Sequence, residues 1–70
     1  MPNFGSRLRQ CRLEAGLKQV AAAKLMRIGQ QSISDYENNK AQPSADVIVK
    51  MAIAYGVSTD YLLGMTDEKE

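Results

Sequence analysis

Seventy residues, 44% of them hydrophobic, with a formal net charge of +1, make one small domain. A chain this short buries only about 60% of the surface its unfolded form exposes, so its core must be efficient. One cysteine and no histidine exclude an intramolecular disulfide and leave too few ligands for a zinc site.

No apolar run approaches the ~20 residues of a membrane span, and no secretory leader is recognisable, so a cytoplasmic chain with a reduced cysteine is expected. Cys11 falls in an apolar helical register and is expected as a small buried hydrophobe. Charge is unevenly spread. Residues 1–40 hold seven basic side chains against three acidic ones, whereas residues 41–70 hold two against five. That split points to a basic working face and an acidic far side.

Five short helices follow in chain order. Asn3 is placed to cap the first, in which Phe4, Leu8, Cys11 and Ala15 recur at helical spacing before Gly16 ends it. Gln19–Met26, rich in alanine, reads as a second helix, and about Gln30 to Glu37 as a third. Asn38 to Pro43 form a loop, since asparagine tolerates left-handed backbone and Pro43 halts what precedes it. Ser44 caps a fourth helix with Asp46 in its first turn, Ile48, Met51, Ala52 and Tyr55 as its buried stripe, and Gly56 as its stop. Ser58 caps a fifth, anchored by Leu62 and Leu63 and closed by Gly64. No stretch alternates as a strand would. The fold class is all-α, with one domain over residues 1–65 and a charged tail, 66–70, expected to fray.

The stretch from Gly16 to Asn38 holds two short helices joined by a tight turn. Ala23 is small enough for their crossing; Ala22, Met26, Ile28 and Ile33 fit the inner side. Gln30, Gln31, Ser34 and Asp35 are left outward on the second helix. Amides and a hydroxyl on such a face suit the major groove, where glutamine pairs bidentately with adenine and serine bonds to either kind of base edge. An ordinary solvated helix face has the same polarity.

From about Phe4 to Leu63 the chain resembles the Cro/repressor-type (XRE-like) helix-turn-helix family, which includes the lambdoid phage repressors. The matching residues are Leu8-Arg9…Arg12, Gly16-Leu17…Gln19, Ala23, Ile28, Ser32-Ile33-Ser34…Tyr36-Glu37-Asn38, Pro43-Ser44, Ala52…Gly56-Val57-Ser58 and Asp60…Leu62-Leu63. The resemblance implies a compact five-helix, lambda-repressor-like DNA-binding domain. It implies that Gln30 and Gln31 meet base edges, with Ser34 and Asp35 beside them, and that Gln19 braces a phosphate and the recognition helix. Ser32 is near enough to add a contact. The loop at Asn38 and Lys40 would grip phosphate through backbone amides and the lysine, and Arg12 with Glu37 would form a largely buried salt bridge.

Several positions depart from the family pattern. Lys18 replaces the threonine or serine that caps the second helix, a loss of about 1 kcal/mol that a phosphate contact by the lysine would offset. Arg27 replaces the turn glycine, where positive φ costs a non-glycine residue on the order of 1 kcal/mol; it too is a candidate phosphate contact. Gly29 replaces a capping serine or threonine, Ala22 a leucine, and Gln42 a basic residue. Asp35 would repel phosphate unless it accepts from a cytosine amine.

Val49, Ile53, Tyr61 and Met65 are candidates for a two-fold interface built from the fourth and fifth helices. A dimer of that kind sets two recognition helices one DNA turn apart, roughly 34 Å, and reads pseudo-palindromes. The expected function is therefore a sequence-specific DNA-binding regulator, a repressor acting as a homodimer on double-stranded operator DNA. It needs no cofactor, metal, membrane or small-molecule ligand. An antitoxin-like or accessory protein-interaction module would use the same fold, and near-neutral charge, Asp35, Gln42 and the acidic tail are compatible with it; a restriction-modification control protein is a further alternative. An enzyme is the poorest fit: the chain has no histidine, no nucleophile elbow, no phosphate-binding glycine loop and no carboxylate cluster with catalytic spacing.

Overall fold

The structure, a computed structural model, describes residues 4–69. Its elements are α1 (Phe4–Glu14), α2 (Gln19–Met26), α3 (Gln30–Glu37), α4 (Ala45–Tyr55) and α5 (Thr59–Leu62), with no strand among the described residues. The expected cap at Asn3 lies outside the described residues.

Local sequence explains where each helix stops. Gly16 and Gly56 take φ of 75° and 68°, a left-handed conformation that glycine adopts without strain and that ends α1 and α4. Ala15 lies beyond the last residue of α1 and is exposed, so the apolar stripe of that helix ends at Cys11. Arg27 closes α2 at φ 55°, ψ 44°, the strained conformation foreseen for a non-glycine residue there. Its N–H and that of Ile28 bond to the last carbonyls of α2, Lys24 at 3.3 Å and Ala23 at 3.1 Å, which offsets part of the cost.

Starts differ between the helices. Ser44 Oγ accepts from the Val47 N–H at 3.3 Å and Ser58 Oγ from the Tyr61 N–H at 3.0 Å, so α4 and α5 carry side-chain caps. Helices α2 and α3 begin at Lys18 and Gly29, neither of which supplies a capping bond.

One core serves all five helices. Leu8 and Cys11 of α1, Ala22, Ala23 and Met26 of α2, Ile33 of α3, Met51, Ala52 and Tyr55 of α4, and Tyr61 and Leu62 of α5 are buried together. Small residues on α2 let it lie close against both α3 and α4, while α1 packs on α3, α4 and α5. Burial pushes the Cys11 thiol above its ordinary value, as befits a core residue.

One expectation needs correction at the C-terminal end. Tyr61 does not face a partner; it is 5% exposed. The Arg7 guanidinium stacks 4.0 Å above its ring, Arg7 Nε donates to its carbonyl at 2.9 Å, and its hydroxyl donates to the Glu14 carboxylate at 2.9 Å. The bond to Glu14 raises the Tyr61 hydroxyl pKa, and bonds from Gln10 and Tyr61 hold the Glu14 carboxyl below its usual value. The segment after α5, expected to fray, makes specific contacts over its described length. Arg7 Nη2 donates to the Thr66 carbonyl at 3.2 Å, the Ser58 N–H donates to the Lys69 carbonyl, and Lys69 Nζ lies 3.9 Å from Glu14. Arg7 is thus committed to holding the C-terminal segment on α1, away from any charged working face.

Candidate nucleic-acid interface

Three helices converge on one buried ion pair. Arg12 Nε and Nη2 donate to Glu37 Oε2 and Oε1 at 2.7 and 3.0 Å, the planar fork of arginine meeting both oxygens of the carboxylate. Arg12 Nη1 donates to the Leu17 carbonyl at 2.8 Å, and Gln19 Nε2 donates to Glu37 Oε1 at 3.1 Å. Arg12 is 5% exposed and Glu37 7%, and the bonds to Glu37 hold the guanidinium more firmly protonated than usual. The pair joins α1, the start of α2 and the last turn of α3. It fixes the direction in which α3 points.

Toward the other end of α3 from Glu37 lies a polar stretch. Gln30 and Gln31, in the first turn, are exposed, and Ser34 and Asp35, one turn on, are half-buried, as is Ser32. Gln31 Nε2 donates to Asp35 Oδ1 at 2.9 Å. Asn38 Nδ2 donates to the Ser34 carbonyl at 2.9 Å and its hydroxyl at 3.3 Å, which leaves the Ser34 hydroxyl proton free to donate. Because neither start is capped, the N–H groups of Gln19, Val20 and Ala21 in α2 and of Gln30 and Gln31 in α3 have no partner among the described residues. Each of these helix ends is a positive pole that favours an anion.

Between α1, the start of α2 and the C-terminal end of α3 lies a polar cleft lined by Ser6, Arg9, Arg12, Gln19, Glu37 and Asn38. Its floor is electrically spent, since both Glu37 oxygens are occupied by Arg12 and Gln19. At its rim Arg9 is exposed and makes no ion pair or hydrogen bond among the described residues. Ser6 and Arg9 stand outside the set expected from the sequence. Arg9 precedes Arg12 by three residues on one helix, a spacing that places both on one face and could have found it.

The loop after α3 differs from expectation. The N–H groups of Asn38, Asn39 and Lys40 donate to the carbonyls of Ser34, Tyr36 and Asp35 at 3.0, 3.3 and 2.8 Å. A grip on phosphate through these backbone amides is therefore not on offer, and the loop's contribution reduces to the exposed Lys40 side chain and to Asn38 at the cleft. Asn39, at φ 59°, serves the scaffold: its Oδ1 accepts from the Gly5 N–H at 3.0 Å.

Arg27 is also displaced from its expected company. It lines an apolar groove between α2 and α4 with Leu25, Met26, Lys50, Ile53 and Ala54, at the opposite end of α2 from Gln19, about 12 Å away by helix rise. Lys18 stays exposed beside Gln19. Of the expected interface residues, Val49, Ile53 and Met65 are exposed and Tyr61 is not; Leu25, 62% exposed, joins Ile53 across the groove.

Residues 8–62 match the protein family described as Helix-turn-helix. The chain belongs to that family. Among curated proteins it is 42% identical over 62 residues to the HTH-type transcriptional regulator ImmR of Bacillus subtilis, a match covering 89% of this chain and 49% of ImmR. It is 40% identical over 60 residues to the SPbeta prophage-derived HTH-type transcriptional regulator YonR of the same organism, covering 86% of this chain and 56% of YonR. The chain thus spans about half the length of these relatives.

Among solved structures it is similar to the restriction-modification controller protein C.AhdI of Aeromonas hydrophila, with a TM-score of 0.81 and 30% identity over 86% of this chain and 91% of that one. It is also similar to the P22 c2 repressor solved in complex with synthetic operator 9T, with a TM-score of 0.80 and 27% identity over 90% of this chain and 96% of that one. In the helix-turn-helix, α2 and α3 are the paired helices, Arg27 and Ile28 lie in the turn, and α3 carries the exposed amides.

Proposed function

We propose that this chain is a DNA-binding transcriptional regulator, a repressor that reads a pseudo-palindromic operator in the cytoplasm as a homodimer, and a binding module rather than an enzyme. The observation that carries the reading is the outward Gln30–Gln31 pair on the first turn of an uncapped α3, held in direction by the buried Arg12–Glu37 pair.

Gln30, Gln31, Ser34 and Asp35 meet base edges in the major groove. Backbone phosphate is met by the free N–H groups of α2, by Gln19, Lys18, Ser32, Asn38 and Lys40, and by Arg9 at the rim of the cleft. A phosphate there would complete the helix start that Lys18 leaves without a side-chain cap. The two-fold contact runs along Val49 and Ile53, one turn apart on α4, with Met65 nearby in sequence to α5; these are 50%, 76% and 74% exposed.

The test is selection of bound duplexes from a randomised pool, followed by titration of the selected site. An inverted repeat with half-sites one helical turn apart and a log–log salt slope of several units supports the reading. Gln30→Ala should relax discrimination at one base position by about 1–3 kcal/mol and leave random-DNA binding intact. Equal losses on operator and random duplexes would remove Gln30 from the readers. Ile53→Glu should shift the sedimenting species to monomer.

Similarity to C.AhdI favours one second reading, control of a restriction-modification gene pair. It uses the same DNA face and is separated by where the selected site falls in the genome.

A further inference from the structure

We propose that Asp35, through its bond to Gln31, makes the middle of α3 a cytosine selector. The inference rests on the operator-reading proposal above and names the base that one part of that face accepts.

Gln31 and Asp35 stand one helical turn apart on the same side of α3, and Gln31 Nε2 donates to Asp35 Oδ1 at 2.9 Å. That bond spends one of the two amide protons of Gln31. Gln31 Oε1 and the second carboxylate oxygen of Asp35 receive no hydrogen bond among the described residues, and Asp35 has no cation paired with it there. The pair therefore presents two free acceptors, one of them charged, against a single remaining amide proton, where an unmodified glutamine would present two protons and one acceptor oxygen.

Base edges differ in what they return to such a surface. Guanine shows only acceptors in the major groove, N7 and O6, and thymine shows O4 and a methyl group. A carboxylate against either faces lone pairs or a methyl with no proton between. Adenine offers its N6 amine but sets N7 beside it, so it is met only where the one remaining Gln31 proton reaches N7, and it is the base excluded least. Cytosine offers the N4 amine with no neighbouring acceptor on its own edge. Gln30 makes no side-chain bond within the described chain and keeps its full amide for adenine. The same carboxylate repels the phosphate backbone of every duplex, so Asp35 lowers affinity for all sequences and least for those with cytosine in register. Discrimination arises from that difference.

The experiment uses the whole chain. Its selected duplex is compared with versions in which the cytosine of both half-sites is replaced by thymine, guanine or adenine, for wild type, Asp35→Asn and Asp35→Ala, at one fixed salt concentration. Wild type should favour cytosine about tenfold or more per half-site over thymine and guanine. Asp35→Asn should bind every duplex more tightly, because a repulsive charge is gone, and should lose the cytosine preference in favour of the purines, whose acceptors the new amide can meet. Discrimination opposite Gln30 should persist in both variants. Selected sites without a fixed cytosine in each half-site, or an unchanged cytosine-to-guanine ratio in Asp35→Asn, would overturn the inference and leave operator reading intact. A wild-type chain that binds no duplex above background overturns operator reading itself, and this inference with it.

Discussion

Replacing Glu37 by glutamine tests whether the buried ion pair stabilises the domain or only specifies how it is assembled. Arg12 is 5% exposed, and its Nε and Nη2 both end on Glu37. Glutamine keeps the shape and one acceptor but leaves a guanidinium charge buried without a counter-charge, at a cost of about 3–5 kcal/mol. A 70-residue domain has roughly 4–10 kcal/mol of total stability, at about 0.05–0.15 kcal/mol per residue, so this one atom-for-atom change removes about half of it. Arg12→Met should cost a similar amount, by stranding the carboxylate. The double variant Arg12→Met/Glu37→Leu should recover to within about 1 kcal/mol of wild type, because apolar side chains of similar volume need no desolvation. Urea denaturation followed by circular dichroism, run as a double-mutant cycle, reads all three values. A double variant as unstable as the sum of the single ones would refute the reasoning. Under the proposed function the restored double variant should still bind operator poorly, since Gln19 has lost its partner on α3 and the recognition helix its tether.

Three further outcomes are expected. Gly5→Ala should destabilise by about 1–3 kcal/mol, against the gain of 0.5–1 kcal/mol that alanine brings to an open helix, because a Cβ would overlap the Glu37 carbonyl oxygen and lie 2.8 Å from that of Tyr36; a raised urea midpoint would show that α1 has room to move. Burial, with Glu37 nearby, lifts the Tyr55 hydroxyl pKa from 10.0 to about 12, so the unfolded chain loses that proton first. Stability should be whole below pH 10 and fall by about 1.4 kcal/mol per unit between 10 and 12, and Tyr55→Phe should remove this phenol's contribution to the fall in a pH series of urea midpoints. At neutral pH the same substitution should be neutral or stabilising, since the buried hydroxyl has no partner within the described protein. Arg9→Gln should weaken binding to operator and random duplex alike and reduce the salt slope by about one unit, with stability unchanged; an unaltered slope in a salt titration would remove Arg9 from the phosphate contacts.

Helix limits were legible because punctuation is local. Ser44, Ser58, Gly16 and Gly56 act within one turn of themselves, so a single chain displays them, and the bounds Gln19–Met26 and Gln30–Glu37 read directly from the sequence. What was not legible depends on distant partners. Tyr61 sits in a helix of four residues, too short for a periodicity to give its face, and its burial depends on Arg7, 54 positions earlier. The same arginine and Ser58 bond to carbonyls of the segment that composition marks as a loose acidic tail. Gly5 looks like a defect inside a helix until α3 is laid against it. Asn38-Asn39-Lys40 announces left-handed backbone, yet nothing in three residues says that their N–H groups turn inward to α3. Arg9 lies outside the motif for a related reason: the motif is on α2 and α3, while the cleft also belongs to α1.

The distribution of helix caps separates scaffold from working surface without reference to any ligand. Helices α4 and α5, which complete the core, each have a serine oxygen on a first-turn N–H. Helices α2 and α3 have none, which costs about 1 kcal/mol at Lys18 and a few tenths at Gly29, since glycine is tolerated at that position. Arg27 adds its own cost at the turn between them. Three local concessions thus fall within twelve residues, Lys18, Arg27 and Gly29 wide apart in chemistry but alike in leaving backbone less satisfied than it could be. A free domain gains nothing from that arrangement. A domain whose first-turn N–H groups are to be met by phosphate oxygens gains directly, because each donor left unpaired in the free chain is one that need not be stripped of a protein partner on binding.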